Sequence, residues 1–102
     1  MTQSILPPRL SEEEEKELWY KMLETEGDER QEIRNRLVES HLRLARWVAD
    51  CFGLHKIIDV PKKDREAMSV FGLIDAVEKF DVTKGFKFSS YATVVIYRRI
   101  LS

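Results

Sequence analysis

Apolar residues recur along this chain at the helical period, in four separate stretches. Residues 11–25 set Leu18, Trp19, Met22 and Leu23 on one face behind Ser11 and Glu14, a capping-box pair, and predict a helix. Gly27 breaks that pattern and Asp28 is placed to cap the next one. Residues 28–53 then carry two adjacent rows, Leu37, His41, Leu44 and Val48 beside Val38, Leu42, Ala45 and Phe52. They predict one long helix with a broad buried stripe. Residues 64–80, capped by Asp64, place Val70, Leu73, Ile74 and Val77 at i, i+3, i+4 and i+7. A last helix starts with Ser89 or Ser90 as its cap. Ala92, Val95, Ile96 and Ile100 form its inward face, and Tyr91, Val94, Tyr97 and Leu101 are apolar too, which predicts burial on several sides. The expected fold is all-α, a compact bundle of four main helices.

The remaining segments fit around this plan. Residues 1–10 read as a leader, because Pro7-Pro8 cannot lie inside a helix, and residues 11–102 read as one domain. Gly53 to Lys63 forms a linker in which Ile57 and Ile58 are expected to tuck into the core. A nearly all-apolar helix at the end of the given sequence suggests a polypeptide that stops short of where that helix would end. Gly72 falls inside the third predicted helix, where glycine costs roughly 1 kcal/mol against alanine. A neighbouring backbone is therefore expected to come close there.

Charge changes the picture through its distribution. The net formal charge is only -1. Residues 1–32 hold ten acids against four bases, whereas residues 79–102 hold five bases against Asp81 alone. A basic end on a near-neutral chain can bind phosphate locally. The glutamates at 12–15 read as a solvated first turn at the positive end of a helix dipole. Cys51 is the only cysteine, which excludes an intrachain disulfide and fits a reducing cytoplasm; a buried structural thiol is expected. His41 sits in an apolar row and reads as a partly buried, hydrogen-bonded histidine, since no second ligand stands at i+4. His55 has no partner in sequence. No phosphate loop, zinc spacing or nucleophile motif occurs, so the sequence points to neither an enzyme nor a bound metal or cofactor. No apolar run approaches the roughly 20 residues of a membrane span.

The chemistry concentrates in the turn before the last helix, with Lys84, Phe86, Lys87 and Phe88, followed by Tyr91. Cations beside flat rings suit a single-stranded nucleic acid, whose phosphates meet the lysines and whose unstacked bases meet the rings. By spacing alone, Phe80, Phe88 and Tyr91 at helix ends read more simply as core positions than as binding ones. Lys79 can be read as a solvated charge.

The run GLIDAVEKFDVTKGFKFSSYA, residues 72–92, resembles region 2 of bacterial sigma factors, the promoter-recognition subunits of RNA polymerase. The form VFGLIDAVEKFD looks like the alternative factors of flagellar and sporulation type. Leu10 to Glu15 and the helix after it resemble region 1.2, and Asn35 to Ala45 the opening of region 2.1. Asp64 to Phe80 is similar to region 2.2, and Asp81 to Ser102 to region 2.3 and the start of 2.4. The resemblance implies docking on the clamp-helix coiled coil of the polymerase β′ subunit and melting of the promoter −10 element through its non-template strand. Asp64, Ala67, Met68, Val70 and Ile74 would face the polymerase. Lys84, Phe86, Lys87, Phe88, Tyr91 and Phe80 would face DNA, Tyr91 as the ring stacked on a flipped base. Anti-sigma proteins are among the partners such a family allows. The chain departs from the primary factors at Ala67 and Met68, which replace a polar pair used in docking. Arg65 and Glu66 replace apolar residues, and Val94 and Val95 replace a tryptophan pair. Two other readings stand beside this one. One is an interaction module that keeps the scaffold without reading DNA. The other is a helix-turn-helix binder, against which an almost wholly apolar last helix argues.

Overall fold

In the computed structural model, which describes residues 10–55 and 60–101 without the side chains of 52–55, five α-helices follow one another. They are α1 (Glu12–Glu24), α2 (Gly27–Ser40), α3 (Leu42–His55), α4 (Lys62–Lys79) and α5 (Phe88–Leu101), with a 3-10 turn at Val82–Lys84 before the last. The described residues contain no strand, so the all-α expectation holds. The leader other than Leu10, and the expected tucking of Ile57 and Ile58, lie outside the described residues.

The capping box forms as its residue types require. The Ser11 hydroxyl accepts from the Glu14 amide at 3.1 Å, and the Glu14 carboxylate accepts from the Ser11 amide at 3.0 Å. Trp19 and Met22 turn inward from α1, whereas Leu23 is 62% exposed and does not join the predicted face. The helix predicted over 28–53 is two helices. His41 leaves helical geometry at φ -115° and ψ 13°, and its carbonyl accepts from the amides of Leu44 and Ala45 to start α3. No glycine or proline marks the break. Ser40 competes for the ladder by donating its hydroxyl to the Leu37 carbonyl, 2.8 Å away. The His41 ring turns in against Phe88, centroids 4.6 Å apart, with Nε2 lying 3.0 Å from Oε1 of Glu15. That contact is close but lacks the alignment of a hydrogen bond.

Glu15 is thereby tied to the α2–α3 elbow. The His41 nitrogen beside it, helped by Trp19 Nε1 donating at 3.2 Å, holds its carboxyl below the usual 4.5 against the opposing effect of burial. A carboxyl whose pKa is lowered on folding stabilises the native state above its unfolded value. That contribution is lost as pH falls through the folded value. Stability should therefore decline below about pH 4.5, and Glu15→Gln should flatten that acid limb in thermal melts at stepped pH. An unchanged limb would remove Glu15 from the account.

The centre of the fold is the antiparallel pair α4 and α5. Gly72 packs so close to α5 that a Cβ added there would lie 2.9 Å from the Ile96 Cα and 3.2 Å from the Arg99 Cβ. This is the close approach that a glycine inside a helix predicts. The inner face of α4 is Ser69, Gly72, Leu73, Ala76 and Val77. It is rotated from the predicted one: Ile74 is half-buried and Val70 is 36% exposed. The rotation follows from small residues, which carry little hydropathy yet let helices approach. The helix also begins earlier than predicted. The Pro61 carbonyl accepts from the amides of Asp64 and Arg65, so Asp64 lies exposed in the first turn rather than capping it. Likewise α2 starts at Gly27 and not at a capping Asp28.

Only one side of α5 is buried, through Phe88, Ala92, Ile96 and Ile100. Val94, Tyr97 and Leu101 are exposed, contrary to the expectation of burial on several sides. Cys51 is half-buried with a free thiol, less enclosed than predicted. Ion pairs brace the periphery. Arg30 and Arg34 of α2 clasp Glu78 at 2.8 and 3.3 Å, and Arg99 of α5 reaches Asp75 at 2.8 Å. Among the described residues no helix is long and apolar enough to cross a membrane, and no cluster of His, Cys, Asp and Glu could hold a metal ion.

Candidate nucleic-acid interface

The end of α4, the turn after it and the start of α5 enclose an open cleft of ≈ 750 Å³. Local bonding shapes each wall. Phe80 closes α4 by donating its amide to the Ala76 carbonyl at 2.9 Å. Asp81 caps the 3-10 turn, accepting from the Thr83 amide at 2.9 Å and from the Thr83 hydroxyl. Gly85 reverses the chain at φ 76°, a left-handed conformation that favours glycine. The reversal throws Phe86 outward, where it is 72% exposed. The next helix begins at Phe88, before either predicted cap, Ser89 or Ser90, with the Tyr91 amide donating to the Lys87 carbonyl.

Five of the six predicted DNA-facing residues line this cleft: Phe80, Lys84, Phe86, Lys87 and Tyr91. The sixth does not. Phe88 is 4% exposed, and its ring sits against Trp19 at 5.0 Å and Phe80 at 5.2 Å, so it supports the wall from the core instead of touching a ligand. Phe80 serves both roles. It packs on Trp19 at 4.9 Å and on Tyr91 at 5.6 Å while still bordering the cleft. Tyr91, half-buried, is therefore a ring held from behind by a second ring, which fixes its plane without using all of its surface.

Lys79, Asp81, Gly85 and Ser90 complete the lining. Lys79, read from sequence as a solvated charge, makes a third cation beside Lys84 and Lys87. Asp81 is the one acid among the described residues of the lining. The Thr83 hydroxyl and amide hold its carboxyl below the ordinary range, so it stays ionised and offsets part of the cationic field. Three cations and three rings around an open hollow can hold an anionic polymer and stack its unpaired bases. On the other side of the α5 start, a second groove is lined by Leu10, Arg43, Leu44, Trp47 and Ser89 among others. Trp47 is 59% exposed there, and no periodicity in the sequence had marked it.

The residues predicted to face the polymerase lie elsewhere, on α4. Asp64, Ala67 and Val70 are exposed on its outer side, and Ile74 is half-buried at the border of that side. Phe71, not singled out from sequence, stands among them at 56% exposure, with the Arg99 guanidinium 5.8 Å from its ring centre. Met68 instead packs against the core, half-buried and turned away from Ala67.

Over 96 residues, 94% of this chain, the sequence is 38% identical to the RNA polymerase sigma-E factor of Clostridium acetobutylicum. The chain belongs to the sigma factor family. It is also 42% identical over 86 residues to the RNA polymerase sigma factor SigA of a Bacillus species. Over 63 residues, 62% of the chain, it is 46% identical to the principal sigma factor HrdC of Streptomyces coelicolor. No family model matches. This sigma-factor chain spans 38%, 21% and 18% of the lengths of these three relatives.

Proposed function

We propose that this sigma-factor chain acts in transcription initiation, in the cytoplasm, as a promoter-opening module. It docks on the β′ clamp helices of RNA polymerase and captures the non-template single strand of the −10 element. The observation that carries the reading is the cleft itself, where Lys79, Lys84 and Lys87 surround Phe80, Phe86 and Tyr91. A duplex keeps its bases stacked and out of reach of such rings, so a cleft of this kind favours strands already unstacked. Binding energy spent on the unstacked form shifts the promoter toward opening, and the chemistry of RNA synthesis stays with the polymerase.

Docking uses the outer side of α4, centred on Asp64, Ala67, Val70 and Phe71. Removing the Asp64 carboxylate should weaken capture of the isolated β′ coiled coil by several-fold, while circular dichroism shows the helices intact. Undiminished capture by Asp64→Ala would move the docking surface off α4. A base-reading major-groove helix is disfavoured, because the outer side of α5 presents Val94, Tyr97 and Leu101.

A further inference from the structure

Arg65 is the one α4 side chain that donates to main-chain carbonyls of two other segments among the bonds described. Its Nε donates to the Ala49 carbonyl of α3 at 3.2 Å, and its Nη1 donates to the Val60 carbonyl just before α4 at 2.6 Å. The guanidinium is half-buried and has no carboxylate bonded to it among the described residues. A half-buried cation whose bonds among the described residues go to carbonyls is a costlier choice than an apolar residue that would pack there. What it gains is geometry, since a planar fork fixes two acceptors at once. Here the two acceptors belong to α3 and to the entry of α4. The residue that joins them is the immediate neighbour of Asp64. The opening turn of α4 otherwise has little to hold it: its N-cap is Pro61, with no side-chain cap bond, and Lys62 and Glu66 form only a loose, exposed pair at 3.9 Å.

We propose that Arg65 is a positioning residue of the docking surface, setting the first turn of α4 on α3 so that Asp64, Ala67 and Val70 stand out as one face. The proposal rests on the docking reading above. Arg65 acts through its neighbours and is not itself a contact for the polymerase.

The test compares Arg65→Met, which keeps the packing stem without the fork, with Arg65→Lys, which keeps the charge and can reach one carbonyl. Three quantities are read on the full chain: the thermal midpoint, amide hydrogen exchange across residues 62–66, and affinity for the isolated β′ coiled coil. Arg65→Met should leave the midpoint unchanged or raised, speed exchange in the first turn of α4, and weaken coiled-coil binding about tenfold. Arg65→Lys should recover part of that affinity. A purely structural role predicts instead that midpoint and affinity fall together, and that outcome overturns the proposal. So does unchanged affinity, or unchanged exchange, in Arg65→Met when the parent binds. A parent chain that does not bind the coiled coil overturns the docking reading, and the proposal with it.

Discussion

Gly72→Ala is expected to destabilise the fold by about 1–3 kcal/mol, although alanine is the better helix former by roughly 1 kcal/mol. The sign is decided by distance. The new Cβ would stand 2.9 Å from the Ile96 Cα, a backbone atom that cannot swing aside as a side-chain tip can. The helices must separate, and the layer they share with Leu73, Ala76, Ala92 and Ile96 has no exposed surface to give. Gly72→Leu should cost more, because its branched end has to enter the same space. For a domain of this size each 1 kcal/mol moves the thermal midpoint by about 4–8 °C, so both variants are readable by a melt followed at the helical circular dichroism band. A Gly72→Ala chain as stable as the parent would mean that α4 and α5 do not approach this closely.

The second large effect is a separation between two kinds of cleft mutant. Tyr91→Ala removes a ring braced by Phe80, and base stacking contributes about 1–3 kcal/mol by alanine substitution, roughly 5- to 150-fold in affinity. Stacking releases no counterions, so the salt dependence should stay as in the parent. Lys84→Ala combined with Lys87→Ala should behave differently. Each phosphate contact on a single strand contributes about 0.7 to the slope of log affinity against log salt. The double variant should therefore lose affinity at low salt and show a flatter slope. Titrations of a single-stranded −10 oligonucleotide at stepped salt distinguish the two. If both variants followed the parent at every salt, the cleft would not be the DNA surface, and a role in protein interaction alone would take its place.

What was legible in the sequence was what local chemistry decides. Ser11 and Glu14 announce their capping box because both partners lie within one turn. Gly72 announces a close approach because a glycine at mid-helix needs a reason. Lys84, Phe86, Lys87 and Tyr91 lie within eight positions, so a single turn was enough to gather them. Other features depend on parts of the chain far apart. The break at His41 has one local contributor, the Ser40 hydroxyl bonded back to Leu37, but the contacts that hold the His41 ring inward come from Glu15 and Phe88, in α1 and α5, which no local pattern signals. The true face of α4 was missed because Ser69, Gly72 and Ala76 pack by being small, and hydropathy does not register size. Phe88 and Tyr91 look alike on paper. Only the position of Trp19 decides that the first is core and the second is wall. The lysine at 79 gained its place in the cleft through the turn that brings 84 and 87 back beside it.

In the proposed function the cleft takes the unpaired −10 strand while the chain sits on polymerase. The most direct test assembles the chain on core RNA polymerase and measures binding of a labelled single-stranded oligonucleotide carrying a −10 element. The comparison is an oligonucleotide of equal length with that element scrambled. The account predicts roughly tenfold tighter binding to the −10 strand, the size of one well-stacked base, and loss of that preference with Tyr91→Ala. Equal binding of the two strands by a chain that remains on the polymerase would contradict it.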